Sequence, residues 1–143
     1  MAFYVDTSAF LKLVLAEPHS DALRVWVTEH DAELFSSDLL TTEALRTARR
    51  HSLPALHETR SRLDVLTIVR LGPDVFERAA ELDPTILRTL DAIHLAAALL
   101  AGDELEGIVT YDQRLAHAAA AHGVGIVAPT DPAGAAGTTG RPM

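Results

Sequence analysis

"FYVDTSAFLKLVLAE", residues 3–17, joins two local patterns in one short run. Phe3, Tyr4 and Val5 are apolar and β-prone, Asp6, Thr7 and Ser8 are capping residues, and Ala9 to Glu17 is an apolar helical run that stops before Pro18. The stretch predicts a strand that passes directly into a helix through a carboxylate. The same unit returns late in the chain. "GIVTYDQRLAHAAAAHG", residues 107–123, runs from a β-branched strand through Asp112 into an alanine-rich helix, with Gly123 in place as its C-terminal glycine.

Working outward, the intervening sequence keeps alternating. "PHSDALRVWVTEH" (residues 18–30) has Leu23, Trp26 and Val27 at helical spacing, and "AELFSS" (residues 32–37) is a short strand candidate. Ser37 or Asp38 caps a helix through "LLTTEALRTARRH", and Pro54 opens the next, through Leu66. "LTIVRL" suits a strand, and Pro73 starts a helix that Asp83-Pro84 breaks. "TLDAIHLAAALLAG", residues 89–102, is an almost wholly apolar helix with Thr89 as its cap and Gly102 as its end. "VGIVA" is the last strand. Strands alternating with helices imply an α/β fold with a central, mainly parallel sheet covered by helices on both faces. Residues 1–130 read as one domain, and the Gly- and Pro-rich run 131–143 reads as a flexible tail.

Composition narrows the function classes. The 143 residues carry no Cys, which removes disulfides and thiolate metal sites and agrees with a cytoplasmic protein. The net charge of −8 excludes a nucleic-acid binder that works through bulk basicity. Lys12 is the sole Lys, so the other basic side chains are Arg, the better bidentate phosphate ligand. The longest run without a charged residue, Leu115–Thr130, contains His, Gly and Pro and is no membrane span.

In parallel α/β sheets the functional edge lies beyond the carboxyl ends of the strands. Asp6 and Asp112 each follow a strand directly, Asp91 falls in the first turn of its helix, and Glu43 lies mid-helix. Each has a plain structural role open to it. Asp6 and Asp112 suit N-caps, Asp91 suits the positive end of a helix dipole, and Glu43 suits an exposed pair with Arg46 or Arg50. Convergence would be costly without a cation, because two unit charges about 5 Å apart repel by roughly 3 kcal/mol at an effective dielectric near 20. Hard oxygen donors of this kind favour Mg²⁺ or Mn²⁺. His94, one turn beyond Asp91, reads as a packed or hydrogen-bonded residue in preference to a metal ligand.

"YVDTSAF", "TTEALR", "LRTLDAIHLAAAL" and "VTYDQRLAHAAAAHGV" occur in this order over about residues 3–128, and together they resemble a PIN-domain ribonuclease of the VapC-like toxin type. The resemblance implies a metal-dependent endoribonuclease that holds Mg²⁺ or Mn²⁺ on an acidic cluster and hydrolyses RNA. By motif, the corresponding residues are Asp6, Glu43, Asp91 and Asp112. It further implies a cognate antitoxin protein and a homodimer, and the uncharged runs argue against any membrane association. Asp6 and Asp91 are assigned to direct metal contact, Asp112 to direct or water-mediated contact, and Glu43 to a second metal or the attacking water. Thr7, Ser8 and Thr110 flank the carboxylates as hydrogen-bond partners for them or for water, though Ser8 suits capping and turn chemistry better.

Arg46 and Arg50 share a helical face with Glu43, and Arg88 precedes Asp91 by three residues, so all three are candidate phosphate contacts. Leu11, Val14, Leu15 and Leu23 are expected in the core, and Trp26 at a partly exposed surface. A catalytically silent RNA- or protein-binding module with the same acidic cluster is the alternative. A haloacid-dehalogenase-like enzyme fails because Ser8 stands where its second Asp belongs. A phosphoacceptor receiver fails for want of a late Lys.

Overall fold

The computed structural model describes residues 2–30 and 32–133. Five strands form a single sheet in the order β3-β2-β1-β4-β5, and every neighbouring pair is parallel. The elements in chain order are β1 (Ala2–Val5), α1 (Thr7–Val14), α2 (Ser20–Glu29), β2 (Leu34–Ser37), α3 (Asp38–His51), α4 (Leu53–Val65) and β3 (Thr67–Val69). They continue with α5 (Pro73–Glu81), α6 (Thr89–Leu99), β4 (Leu105–Val109), α7 (Gln113–Ala121) and β5 (Ile126–Val127).

The two-residue period of the strands divides the core. Tyr4, Phe35 and Ile108 face one side and pack with Leu95, Ala98, Leu115 and Ala118 of α6 and α7. Val5 and Val109 face the other and pack with Ala9, Phe10, Leu13, Leu23, Leu40 and Ala44 of α1, α2 and α3. Both faces are thus covered by helices, as the alternating pattern implies. Helix α6 is buried from Ala92 to Ala98, which explains its run of alanines: small side chains let it lie close to the sheet and to α5 and α7.

Several element ends differ from expectation. Helix α1 starts at Thr7 because Asp6 itself is the cap: its backbone is extended and its side chain accepts from Ala9 N. At α6 the extended residue is Arg88, so Thr89 already lies within the helix. That helix ends at Leu99, and Gly102, with φ +54°, serves a following 3-10 turn. Gly123 takes the expected left-handed conformation after α7, φ +77°. Leu15 and Leu23 are buried, whereas Leu11 and Val14 are only half-buried against the core. Trp26 is partly exposed, edge-on to Phe3 at 4.9 Å.

Most of the run 131–143 lies outside the described residues. Asp131 does not: its carboxylate accepts from His19 N and Ala22 N at the start of α2. Among the described residues no helix is long and apolar enough to cross a membrane.

Candidate active site

The sheet register assembles the first part of the site. Pairing of Val5 with Val109 sets the two following residues, Asp6 and Thr110, side by side. Thr110 Oγ1 donates to Asp6 Oδ2 at 2.6 Å, while Asp6 Oδ1 accepts from Ser8 Oγ at 2.7 Å and from Ala9 N at 3.0 Å. Ser8 Oγ in turn accepts from Tyr111 N, and Thr110 Oγ1 accepts from Asp112 N. These bonds tie the ends of β1 and β4 to the starts of α1 and α7 and leave Asp6 one orientation. Burial pushes the Asp6 carboxyl up from its ordinary value, against the hydrogen bonds from Thr110, Ala9 and Ser8.

Asp112 caps α7 through Oδ1, which accepts from Arg114 N and Leu115 N. Asp91 sits in the first turn of α6 and is only partly buried. Its carboxyl is raised by burial, then by the charges of Asp112 and Asp6, with His94 and Arg88 acting in the opposite sense. The charges of Asp6 and Asp112 thus both reach Asp91, an effect that their capping roles alone do not require.

Glu43 joins the site by another route. It does not pair with Arg46 or Arg50. Its Oε1 instead accepts from Thr7 Oγ1 at 2.6 Å and from His94 Nε2 at 2.7 Å. Burial pushes Glu43 up, but the His94 and Thr7 hydrogen bonds and the charge on His94 together hold it below the usual range. His94 is buried, and Tyr4 OH occupies its other ring nitrogen at 2.7 Å. Tyr4 OH also meets Ser37 Oγ at 2.9 Å. A chain of contacts thus runs from Ser37 through Tyr4 and His94 to Glu43 and Thr7, linking β2, β1, α6, α3 and α1.

From the sequence, Tyr4 is only a strand residue, Ser37 only a candidate helix cap, and His94 only a packed or locally bonded residue. One signal was available, since a Tyr in a fully buried strand needs a hydrogen-bond partner. Arg46 and Arg50 are exposed on α3, where Arg50 Nη2 donates to Thr47 Oγ1, and Arg88 is exposed at the start of α6.

The carboxylates of Asp6, Asp91 and Asp112 are hard donors carrying surplus negative charge, a set whose chemistry fits Mg²⁺ or Mn²⁺. Among the described residues, however, no three His, Asp or Glu side chains are drawn together tightly enough to form a ready-made metal site. Charge, more than close contact, defines the cluster.

Residues 3–121 match the PIN domain family. Ribonuclease VapC47 of Mycobacterium tuberculosis is 41% identical over 116 residues, covering 78% of this chain and 85% of that protein. Ribonuclease VapC46 of the same species is 39% identical over 129 residues, 90% of this chain and 98% of the relative. Among solved structures, a toxin–antitoxin complex from Klebsiella pneumoniae superposes with a TM-score of 0.70 at 21% identity, covering 91% of this chain and 99% of that one. The sarcin–ricin-loop-cleaving toxin VapC20 of M. tuberculosis gives 0.68 at 18% identity, covering 90% and 100%. With a family match over most of its length and relatives of this identity, the chain belongs to the PIN domain family, alongside the VapC ribonucleases.

Proposed function

We propose that this chain is a divalent-metal-dependent endoribonuclease and the toxin half of a toxin–antitoxin pair, with Asp6, Glu43, Asp91 and Asp112 as its catalytic carboxylates. The observation that carries the reading is the acidic cluster at the carboxyl edge of the sheet, where Asp6 and Asp112 both raise the Asp91 carboxyl. Kinship with the VapC ribonucleases supports RNA as the substrate.

When bound, Mg²⁺ or Mn²⁺ would supply an activated water and offset charge developing on the phosphodiester. Asp6, Asp91 and Asp112 would hold the ion. Asp6 is pre-set for that task by Thr110 and Ser8, whose hydrogen bonds remove its rotational freedom. Glu43 has both of its donors on Oε1, so among the described residues Oε2 is left to orient the attacking water or hold a second ion. Thr7 fixes that choice of oxygen. Arg46, Arg50 and Arg88 are the phosphate contacts in this scheme.

The likeness to a solved toxin–antitoxin complex supports a cognate antitoxin, and a homodimer acting in the cytoplasm completes the proposal. A cleft of about 450 Å³, lined by Phe10, Leu13, Val27, Leu34 and Val65, supplies apolar surface for such a partner between α1, α2 and α4.

The test is incubation of total cellular RNA with the purified protein in Mg²⁺, Mn²⁺ or EDTA, beside Asp6→Asn and Asp91→Asn. Cleavage is expected with metal and wild type only. Activity that persists in EDTA and in both variants would exclude this mechanism. Binding without cleavage in every metal would favour the silent module.

A further inference from the structure

A second cleft opens beside the acidic cluster. It encloses about 600 Å³ and is lined by Ile86, Leu87, Arg88, Gln113, Arg114 and His117, together with Pro84. One wall is the segment leading into α6, and the other is the first turns of α7. The same helix starts carry Asp91 and Asp112, and Arg114 N donates to Asp112 Oδ1. The walls are pinned together at the far end, where His122 Nε2 donates to the Asp83 carbonyl at 2.8 Å.

What sets this cleft apart is free positive charge, since the arginines of the cleft between α1, α2 and α4, Arg24 and Arg62, are both paired with acids. The chain has a net charge of −8, yet no acidic residue lines the cleft. Arg88 and Arg114 are exposed, and among the described residues neither has an ion-pair partner within 4.0 Å. Gln113, Arg114 and His117 stand at i, i+1 and i+4, so His117 lies one turn above the other two. Ile86 is 90% exposed, an apolar residue with no packing role to explain it. The volume falls within the range of about 300–1,000 Å³ usual for ligand clefts. Unpaired guanidinium groups beside an apolar surface and an imidazole match what a nucleotide presents: an anionic phosphate and a flat, stackable base.

We propose that this cleft is a nucleotide subsite for single-stranded RNA, in which Arg88 and Arg114 hold backbone phosphates and His117 with Ile86 receives a base. The inference rests on the ribonuclease reading and adds to it the place where the strand lies next to the scissile bond. It assigns recognition to Arg114, Gln113 and His117, in addition to Arg88.

The experiment measures binding of a fluorescein-labelled, mixed-sequence 12-nucleotide RNA to the full chain carrying Asp6→Asn, in Mg²⁺ and across a salt series. Arg88→Ala and Arg114→Ala should each raise Kd about tenfold and flatten the salt slope by about 0.7, the contribution of one phosphate contact to a single strand. His117→Ala should raise Kd about fivefold with little change in slope, and His117→Trp should restore binding, because stacking and not charge is at stake. Arg60→Ala, on the exposed face of α4, is the control and should bind as the parent.

Equal losses from Arg60→Ala and Arg114→Ala would overturn the subsite, as would unchanged Kd in Arg88→Ala and Arg114→Ala. Ile86→Asp that halves the sedimenting mass while RNA binding stays intact would assign the cleft to a second copy of this chain and would also overturn it. Wild type that cleaves RNA with a KM untouched by the Arg substitutions would sink the subsite alone. Wild type that neither cleaves nor binds RNA would remove both readings together.

Discussion

His94 Nε2 lies 2.7 Å from Glu43 Oε1, while Tyr4 OH holds the other ring nitrogen at the same distance. A carboxylate below its usual pKa range can only accept, so Nε2 must carry the proton. Tyr4 OH meets the other ring nitrogen. The ring is therefore held at both nitrogens in one orientation, and it transmits that orientation to Glu43. This makes His94 a positioning residue for Glu43.

His94→Leu should lower kcat for RNA cleavage by about tenfold to a hundredfold, the usual effect of losing a group that orients a ligating or catalytic one. KM should stay within about twofold, since His94 is buried away from substrate. His94→Gln, which can still offer an N–H to Glu43, should recover much of the loss. Equal damage from Leu and Gln, with matched folding, would count against orientation as the role.

Tyr4→Phe tests the other end of the chain of contacts. The ring stays in its apolar surroundings, but Ser37 Oγ and His94 Nδ1 both lose a partner inside the core. Unmet buried polar groups cost about 1–3 kcal/mol each. Urea unfolding should therefore show a midpoint shift worth about 2–6 kcal/mol at unchanged slope. A variant as stable as wild type would mean that water reaches these atoms freely.

The local parts of this site were legible in the sequence, and the reason is physical. A strand, an acid and a helix in succession specify a cap and a sheet-edge carboxylate from neighbouring residues alone, so Asp6 and Asp112 could be placed. Thr110 beside Asp6 depends on the register of β1 with β4, which the sequence does not state. The bonds His94 makes to Glu43 and Tyr4 join residues 51 and 90 positions apart, far beyond any helical or strand period. The cap of α6 was misplaced because Thr89 has capping chemistry but Arg88 has the extended backbone. Nothing in the sequence marks Arg114 and His117, because the cleft they line is closed by the distant segment before α6.

Asp91→Asn should stabilise the metal-free protein. Native Asp91 has its carboxyl raised above the ordinary 3.8 by burial and by Asp112 and Asp6. Between that ordinary value and the raised one the folded chain holds the extra proton, so stability falls as pH rises through this window and stays lower above it. Asn removes that slope. In EDTA at pH 7 the gain in Tm should be about 2–4 °C, the equivalent of about 1 kcal/mol, with solvent screening limiting it at this partly exposed site. Below pH 3.8 the two proteins should converge. Millimolar Mg²⁺ or Mn²⁺ should raise the Tm of wild type and have less effect on the variant. Identical pH profiles in EDTA, or no metal shift in wild type, would show that the three carboxylates do not share a field.

Thr110→Val separates the setting of Asp6 from its identity. Valine keeps the shape of threonine but removes a hydroxyl that donates to Asp6 Oδ2 at 2.6 Å and accepts from Asp112 N at 3.0 Å. Two consequences follow from that one atom. The buried carboxylate and the Asp112 amide each lose a partner, which should cost about 1–3 kcal/mol in unfolding free energy. The Thr110 bond also opposes the effect of burial on Asp6, so its loss pushes that carboxyl further up. Because the reading of Asp6 as a ligand requires its ionised form, the acid limb of the rate–pH profile should move to higher pH in Thr110→Val, while the rate well above that limb recovers most of its wild-type value. Thr110→Ser keeps the hydroxyl and should restore the wild-type limb. A uniform drop in rate at every pH, with no displacement of the limb and no rescue by Ser, would assign Thr110 to packing at the end of β4 and detach it from the ionisation of Asp6.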